Sequence, residues 1–321
     1  MTVLVADIGA TNARFALADA QDRLVRTVVL STRDMVTPQA LLRDAFRALD
    51  CDGDLPERLC LAVAGPVRDG TARLTNQGEI FDQAALSRSF GRDVILVNDF
   101  VALAHAVPHA QSLEQIGGEA ADAGVKALIG PGSGCGMAFL VPQASGYVVF
   151  PSEGGHADLA PGSPLEAELW TALSARVPHV CWEAVLSGPG IENLHAALSE
   201  VWGAPAEPMS AARITEAGMA MADPICHQTL ELFFGFLGAA AGGLAVTTLA
   251  TGGVYIGGGI VRRMVEFARR SPLRRRFDER GMMADVVRRI PIYLILDEMP
   301  GLVGALKYLG QQYLEQQAPA R

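Results

Sequence analysis

At 321 residues, with 50% hydrophobic and 19% charged, the chain is long enough for about two globular domains and too apolar to be disordered. A net charge of −9 argues against nucleic acid or an anionic membrane surface as the main partner. The scattered cysteines (Cys51, Cys60, Cys135, Cys181, Cys226) form no CxxC pair, and so read as free thiols in a reducing cytosol without a disulfide framework or zinc site. The chain opens directly on a strand pattern, and no leader peptide is expected.

Along the chain, strands are expected at Val3–Asp7, Ala13–Ala18, Leu24–Leu30, Arg58–Ala64 and Asp93–Val97. Between them Pro38–Leu49 repeats apolar residues at helical spacing, with Thr37 placed as its N-cap. Strands separated by helices imply a largely parallel sheet that starts with an antiparallel hairpin. A helix over Val101–Val107 stops before Pro108, the first candidate boundary. A second α/β unit follows, with strands at Val125–Gly130, Gly136–Val141 and Tyr147–Phe150, then a mostly helical block from Pro164 to about Leu249. Leu232 to Val261 carries no charge and is long enough to span a membrane, but Gly252-Gly253 would interrupt a single helix; a buried helix followed by a buried strand fits better. A strand over Ile290–Leu296 and a helix over Gly301–Leu314 close the pattern.

The stretch Asp7-Ile8-Gly9-Ala10-Thr11-Asn12-Ala13-Arg14 reads as strand, tight turn, strand. Such a hairpin either turns backbone N–H groups toward phosphate oxygens, with Asp7 facing the accompanying metal, or is an ordinary turn served by its Asp and Asn. Only Lys126 and Lys307 are lysines and a Walker loop is absent, so bound phosphate would rest on backbone N–H groups, Arg or metal. Asp99 follows the apolar run Val94–Val97 and precedes a helix, where an Asp is either an N-cap or a catalytic group at the mouth of a strand. The loop Gly130–Gly136 has glycine at every second position; Cys135 and Met137 break both registers of a dinucleotide fingerprint, leaving a phosphate hairpin or a tight turn. Glu153, His156 and Glu183 lie at element ends beside glycines and together supply donors and acceptors for several hydroxyls. Gly252-Gly253 and Gly257-Gly258-Gly259 flank a short strand, for close approach either of a nucleoside or of a packed helix.

Six motifs in this order resemble the bacterial glucokinase family of the sugar-kinase, heat-shock-ATPase and actin superfamily. They are Asp7–Arg14, Val97-Asn98-Asp99-Phe100, Gly130–Gly136, Ser152-Glu153-Gly154-Gly155-His156, Glu183–Gly190 and Gly252–Ile260, and the resemblance runs to about Leu309. It implies an α/β, two-lobed ribonuclease-H-like (actin-like ATPase) fold: a small domain of residues 1–108 with 301–321, a larger one of 109–300, and a cleft between. It also implies internal duplication of one α/β unit, and a cytoplasmic, homodimeric enzyme that phosphorylates D-glucose at O6 with ATP and Mg2+. In that reading Asp99 is the general base. Asn98, Asp99, Glu153, His156 and Glu183 bind the sugar. Asp7, Gly9, Ala10, Thr11, Asn12, Gly132, Ser133, Gly134, Gly257 and Gly258 face the nucleotide, Asp7 toward magnesium. Ala10 stands where the family usually has glycine, which would cost roughly 1–2 kcal/mol if the turn needs a left-handed residue there. Fructokinase or mannokinase is the alternative within the class, and a catalytically silent sugar sensor the alternative outside it.

Overall fold

The computed structural model describes residues 2–33, 35–74, 78–144, 146–205 and 207–317, and the backbone divides into two compact units, 1–111 with 297–321 and 112–296.

In the first unit β1 (Val3–Ile8), β2 (Asn12–Ala18) and β3 (Leu24–Ser31) form an antiparallel meander, and α1 (Pro38–Ala48) leads to β4 (Arg58–Val63). The short strands β5 (Val67–Arg68), β6 (Thr71–Arg73) and β7 (Ile80–Asp82) make a separate small sheet. Then α2 (Gln83–Phe90), β8 (Asp93–Asn98) and α3 (Asp99–Ala106) complete the main sheet in the order β3-β2-β1-β4-β8, with β1, β4 and β8 parallel. Helices start where side chains can satisfy orphan N–H groups: Thr37 accepts from Ala40 N and Asp82 from Ala85 N. The central strand is buried on both faces, so it reads as a continuous apolar run. Leu4, Ala6 and Ile8 face the core that holds Leu42 and Phe46, whereas Val5 faces Leu302, Ala305 and Leu306 of the final helix, Pro300–Gln317. The helix expected from Val101 begins at Asp99.

The second unit opens with β9 (Leu113–Gln115), β10 (Lys126–Pro131), β11 (Cys135–Gln143) and β12 (Gly146–Ser152). A helical block follows: α4 (Pro164–Ser174), α5 (Gly188–Val201), α6 (Ala211–Met219) and α7 (Pro224–Thr248). After β13 (Val254–Ile256) come α8 (Gly259–Arg263), α9 (Val265–Arg270), α10 (Leu273–Asp278), α11 (Ala284–Val287) and β14 (Ile292–Ile295). The sheet order is β12-β11-β10-β13-β14-β9, with β10, β13 and β14 parallel. Its first five strands repeat the order and directions of the first unit's sheet, as duplication of one α/β unit requires. The uncharged stretch resolves into the second half of α7 and then β13. Although α7 is apolar and long enough to cross a membrane, Leu230, Phe233, Phe234, Leu237 and Ala241 along it are all buried in the core of this unit.

Candidate functional site

A glycine turn follows β1 in the first unit and β10 in the second. In the first, register places Ile8, Val63 and Asn98 side by side, at the carboxyl ends of three parallel strands where open α/β sheets bind ligands. The turn after β1 is closed by Gly9 N donating to Asn12 O at 3.0 Å. Thr32 supports it, with Oγ1 donating to Gly9 O at 3.0 Å and its N–H donating to Thr11 O at 3.1 Å. Ala10 is not in the left-handed region, so the alanine carries no backbone strain in this turn.

Asp7 lies one pleat from Val5, on the face covered by the final helix. Its side chain is 29% exposed and its Oδ2 lies 3.7 Å from an Arg14 guanidinium nitrogen. Burial pushes its carboxyl above the ordinary aspartate value, and Arg14 offsets only part of that. A Cβ on Gly301 would fall 2.7 Å from Asp7 Oδ2, so glycine is what lets the helix's first turn lie over this carboxylate. A half-desolvated carboxylate beside a turn of small residues fits a magnesium ion, which takes one or two protein carboxylates and fills its shell with phosphate oxygens and water.

The two readings of Asp99 separate at this point. The N-cap of α3 is Asn98, whose Oδ1 accepts from Phe100 N at 3.0 Å and Val101 N at 3.1 Å. Asn98 Nδ2 donates to Gly65 O at 3.0 Å and to Asp99 Oδ1 at 3.1 Å. Asp99 is therefore not the cap; it is the first helical residue, its Oδ1 also accepting from Phe100 N at 2.9 Å. The neighbouring asparagine fixes its orientation.

In the second unit the other sequence motifs converge on the turn between β10 and β11. Gly132 N donates to Gly134 O at 2.7 Å, closing the loop around Ser133. Gly188, at the start of α5, donates its N–H to Gly132 O at 2.9 Å, and Ser187 caps that helix by accepting from Gly190 N at 2.9 Å. Gly257 N donates to Ile129 O at 2.9 Å. Gly258, with φ +98°, lies so close to β10 that a Cβ would sit 2.3 Å from Pro131 O. The turn carrying Glu153 and His156 packs flat against the loop, because a Cβ on Gly155 would be 1.9 Å from Cys135 O. Glu153 and His156 are themselves exposed, and His156 N donates to Glu153 O at 2.9 Å. Cys135 is buried, and burial followed by the Glu183 charge raises its thiol pKa, so it is an inert group in the loop wall. Gly252 and Gly253 serve packing: a Cβ on Gly252 would be 2.4 Å from Gly124 O, and Gly253 has φ +99°.

Two features escape sequence reasoning. Thr32 has no local signal that ties it to Gly9. Glu183, grouped by sequence with sugar-binding residues, also accepts from Cys135 N at 2.8 Å through Oε2, and only the fold brings those two together.

A family model described as Glucokinase matches residues 4–312. Glucokinase of Chromobacterium violaceum is 39% identical over 322 residues, covering 99% of this chain and 92% of that protein. Among solved structures, glucokinase from an Antarctic psychrotroph is 37% identical with a TM-score of 0.83, covering 97% of this chain and 99% of that one. A ROK family glucokinase from Streptomyces griseus, solved with glucose and AMPPNP, shares the fold at 19% identity and a TM-score of 0.68, covering 97% of this chain and 100% of that one. The two-sheet architecture is thus the actin-like fold of these kinases.

Proposed function

The chain belongs to the glucokinase family, a family of phosphotransferases, and on that premise we propose that it transfers the γ-phosphoryl group of ATP to O6 of D-glucose, with Asp99 taking the proton of the 6-hydroxyl. The observation that carries the assignment is the division of labour at β8: Asn98 performs the capping and holds Asp99 Oδ1, so the carboxylate is oriented at the carboxyl end of the sheet. Phosphoryl transfer asks little covalent chemistry of a protein, but it needs a positioned acceptor oxygen and stabilised charge. Asn98, Glu153, His156 and Glu183 would hold the hexose hydroxyls. The turns Gly9–Asn12 and Gly132–Gly134 would meet phosphate oxygens through N–H groups other than those of Gly9 and Gly132, which close the turns, with Gly257 and Gly258 beside the nucleoside. Asp7 would hold magnesium, which when bound neutralises charge developing on the phosphates.

A coupled assay of ADP release across glucose, fructose and mannose tests this reading. Turnover with glucose at the highest kcat/KM is expected. A preference for fructose or mannose would move the specificity within the class, and absence of ADP with any hexose would make the protein a sensor. The five free thiols suit a cytosolic location, and the family resemblance supports a homodimer. Light scattering at the mass of one chain would end the dimer proposal.

A further inference from the structure

The segment from Glu183 to Gly188 grips both ends of the second glycine loop. Gly188 N holds Gly132 O at one end, and Glu183 Oε2 accepts from Cys135 N at 2.8 Å at the other. Between these holds, Ser187 Oγ donates to Glu183 O at 2.9 Å and fixes the segment to the cap of α5. Glu183 N donates to Gly155 O at 2.8 Å, tying the same residue to the turn that bears Glu153 and His156. Gly134 is the counterpart of this contact: a Cβ there would lie 2.4 Å from Glu183 Oε2 and 3.1 Å from its Cδ. The loop therefore has glycine where the carboxylate passes, and the carboxylate occupies the N–H of the residue that follows.

We infer that Glu183 is a positioning residue for the nucleotide phosphates, bracing the Gly132–Cys135 loop through the Cys135 N–H while its second oxygen serves the sugar. Oε1 carries no hydrogen bond among the described residues, so one carboxylate can address a hydroxyl and the loop together. A hydrogen bond to a charged acceptor that also orders a loop is worth about a tenfold change in an equilibrium when lost. The sugar half of this inference rests on the glucokinase reading; the brace does not.

The test measures binding of a non-hydrolysable ATP analogue by calorimetry without sugar, then the KM values for both substrates. Glu183→Ala is expected to weaken the analogue about tenfold, whereas Glu183→Gln, which keeps an acceptor for Cys135 N, should stay within about twofold. Gly134→Ala should weaken the analogue in the wild-type background, where its methyl displaces the carboxylate. It should add little in the Glu183→Ala background, where that carboxylate is gone. On the glucokinase reading, Gly134→Ala also raises the KM for glucose, although residue 134 is on the phosphate side. Unchanged analogue affinity in a folded Glu183→Ala protein overturns the brace, as do multiplicative effects of Gly134→Ala and Glu183→Ala. If Glu183→Ala does not fold, equal losses in Glu183→Gln and Gly134→Ala would overturn it as well. Failure of the wild type to phosphorylate any hexose would remove the functional reading and leave the sugar-free result standing on its own.

Discussion

The turn after β1 is held by Thr32, 23 residues from Gly9, whereas the turn after β10 is held by Glu183, 48 residues from Cys135, and by Gly258 against Pro131. Both turns join antiparallel strands at the same place in the five strands whose order the two sheets share. The first is set by its own meander and carries no left-handed residue at Gly9 or Ala10. The second depends on close backbone approach by later segments, and its neighbours include glycines that no side chain could replace. One copy of the unit has kept a self-contained turn; the other has made its turn the meeting point of three further motifs.

Asp99→Asn probes the sharpest asymmetry between the units, since β8 runs into a carboxylate held by Asn98 and the equivalent strand β14 runs into Leu296. The substitution should lower kcat by roughly 10²–10⁴ and leave glucose affinity within a few-fold, as loss of a general base requires. Near wild-type turnover in the purified variant would reduce Asp99 to a structural group.

Next in size is a matched pair of glycine substitutions. Gly258→Ala meets Pro131 O at 2.3 Å with φ +98°, and should cost about 2–4 kcal/mol of folding stability. Gly9→Ala meets nothing closer than Asn12 O at 3.4 Å with an ordinary φ, and should stay within about 1 kcal/mol. Urea titrations that rank the two the other way would contradict the contrast between a remote and a local hold.

Asp7→Asn gives a smaller effect with a defined pH dependence. Burial raises the folded-state value of Asp7 above 3.8. Between 3.8 and that raised value the folded form keeps a proton that the unfolded chain has released, so stability falls as pH rises through this window. The asparagine variant escapes the loss: its melting midpoint relative to wild type should climb from acid to neutral pH, while its affinity for MgATP drops. A constant difference across pH would show that burial does not disfavour the Asp7 charge. Smallest of all, Ala10→Gly should change the KM for ATP by less than about twofold, because residue 10 needs no glycine conformation. A tenfold gain in ATP affinity would mean that the turn reshapes around phosphate.

Sequence reasoning recovers the elements whose signals are local. The main strands of both sheets, the Thr37 cap and the division of the uncharged stretch into helix and strand all come from periodicity and punctuation within about ten residues. It misses β5, β6 and β7, two or three residues each and too short to alternate. It also misses β9, whose partner β14 lies far along the chain. Helix α2 was within reach, since Asp82 caps its start and Gly91 ends it in the left-handed conformation. The motifs name the residues of the candidate site, but not that Asn98 takes the capping duty from Asp99, nor that Glu183 touches the glycine loop. Both facts depend on where side-chain oxygens point.

The final helix covers one face of the first sheet, with Leu302, Ala305, Leu306 and Leu309 packed on Val5, Ala16, Cys60 and Ala62. Those sheet residues leave the ribosome early, whereas their cover is made only after the whole 112–296 unit has been synthesised. During translation, at about 5–20 residues per second, the newborn sheet spends some ten seconds or more with this apolar face covered only by α3. The carboxylate of Asp7 waits with it, since the turn at Gly301 that lies over its oxygen is among the last pieces to emerge. Assembly of the Asp7 end of the first unit is therefore a late event of biosynthesis, and a chain released early would leave that sheet face without its last helix.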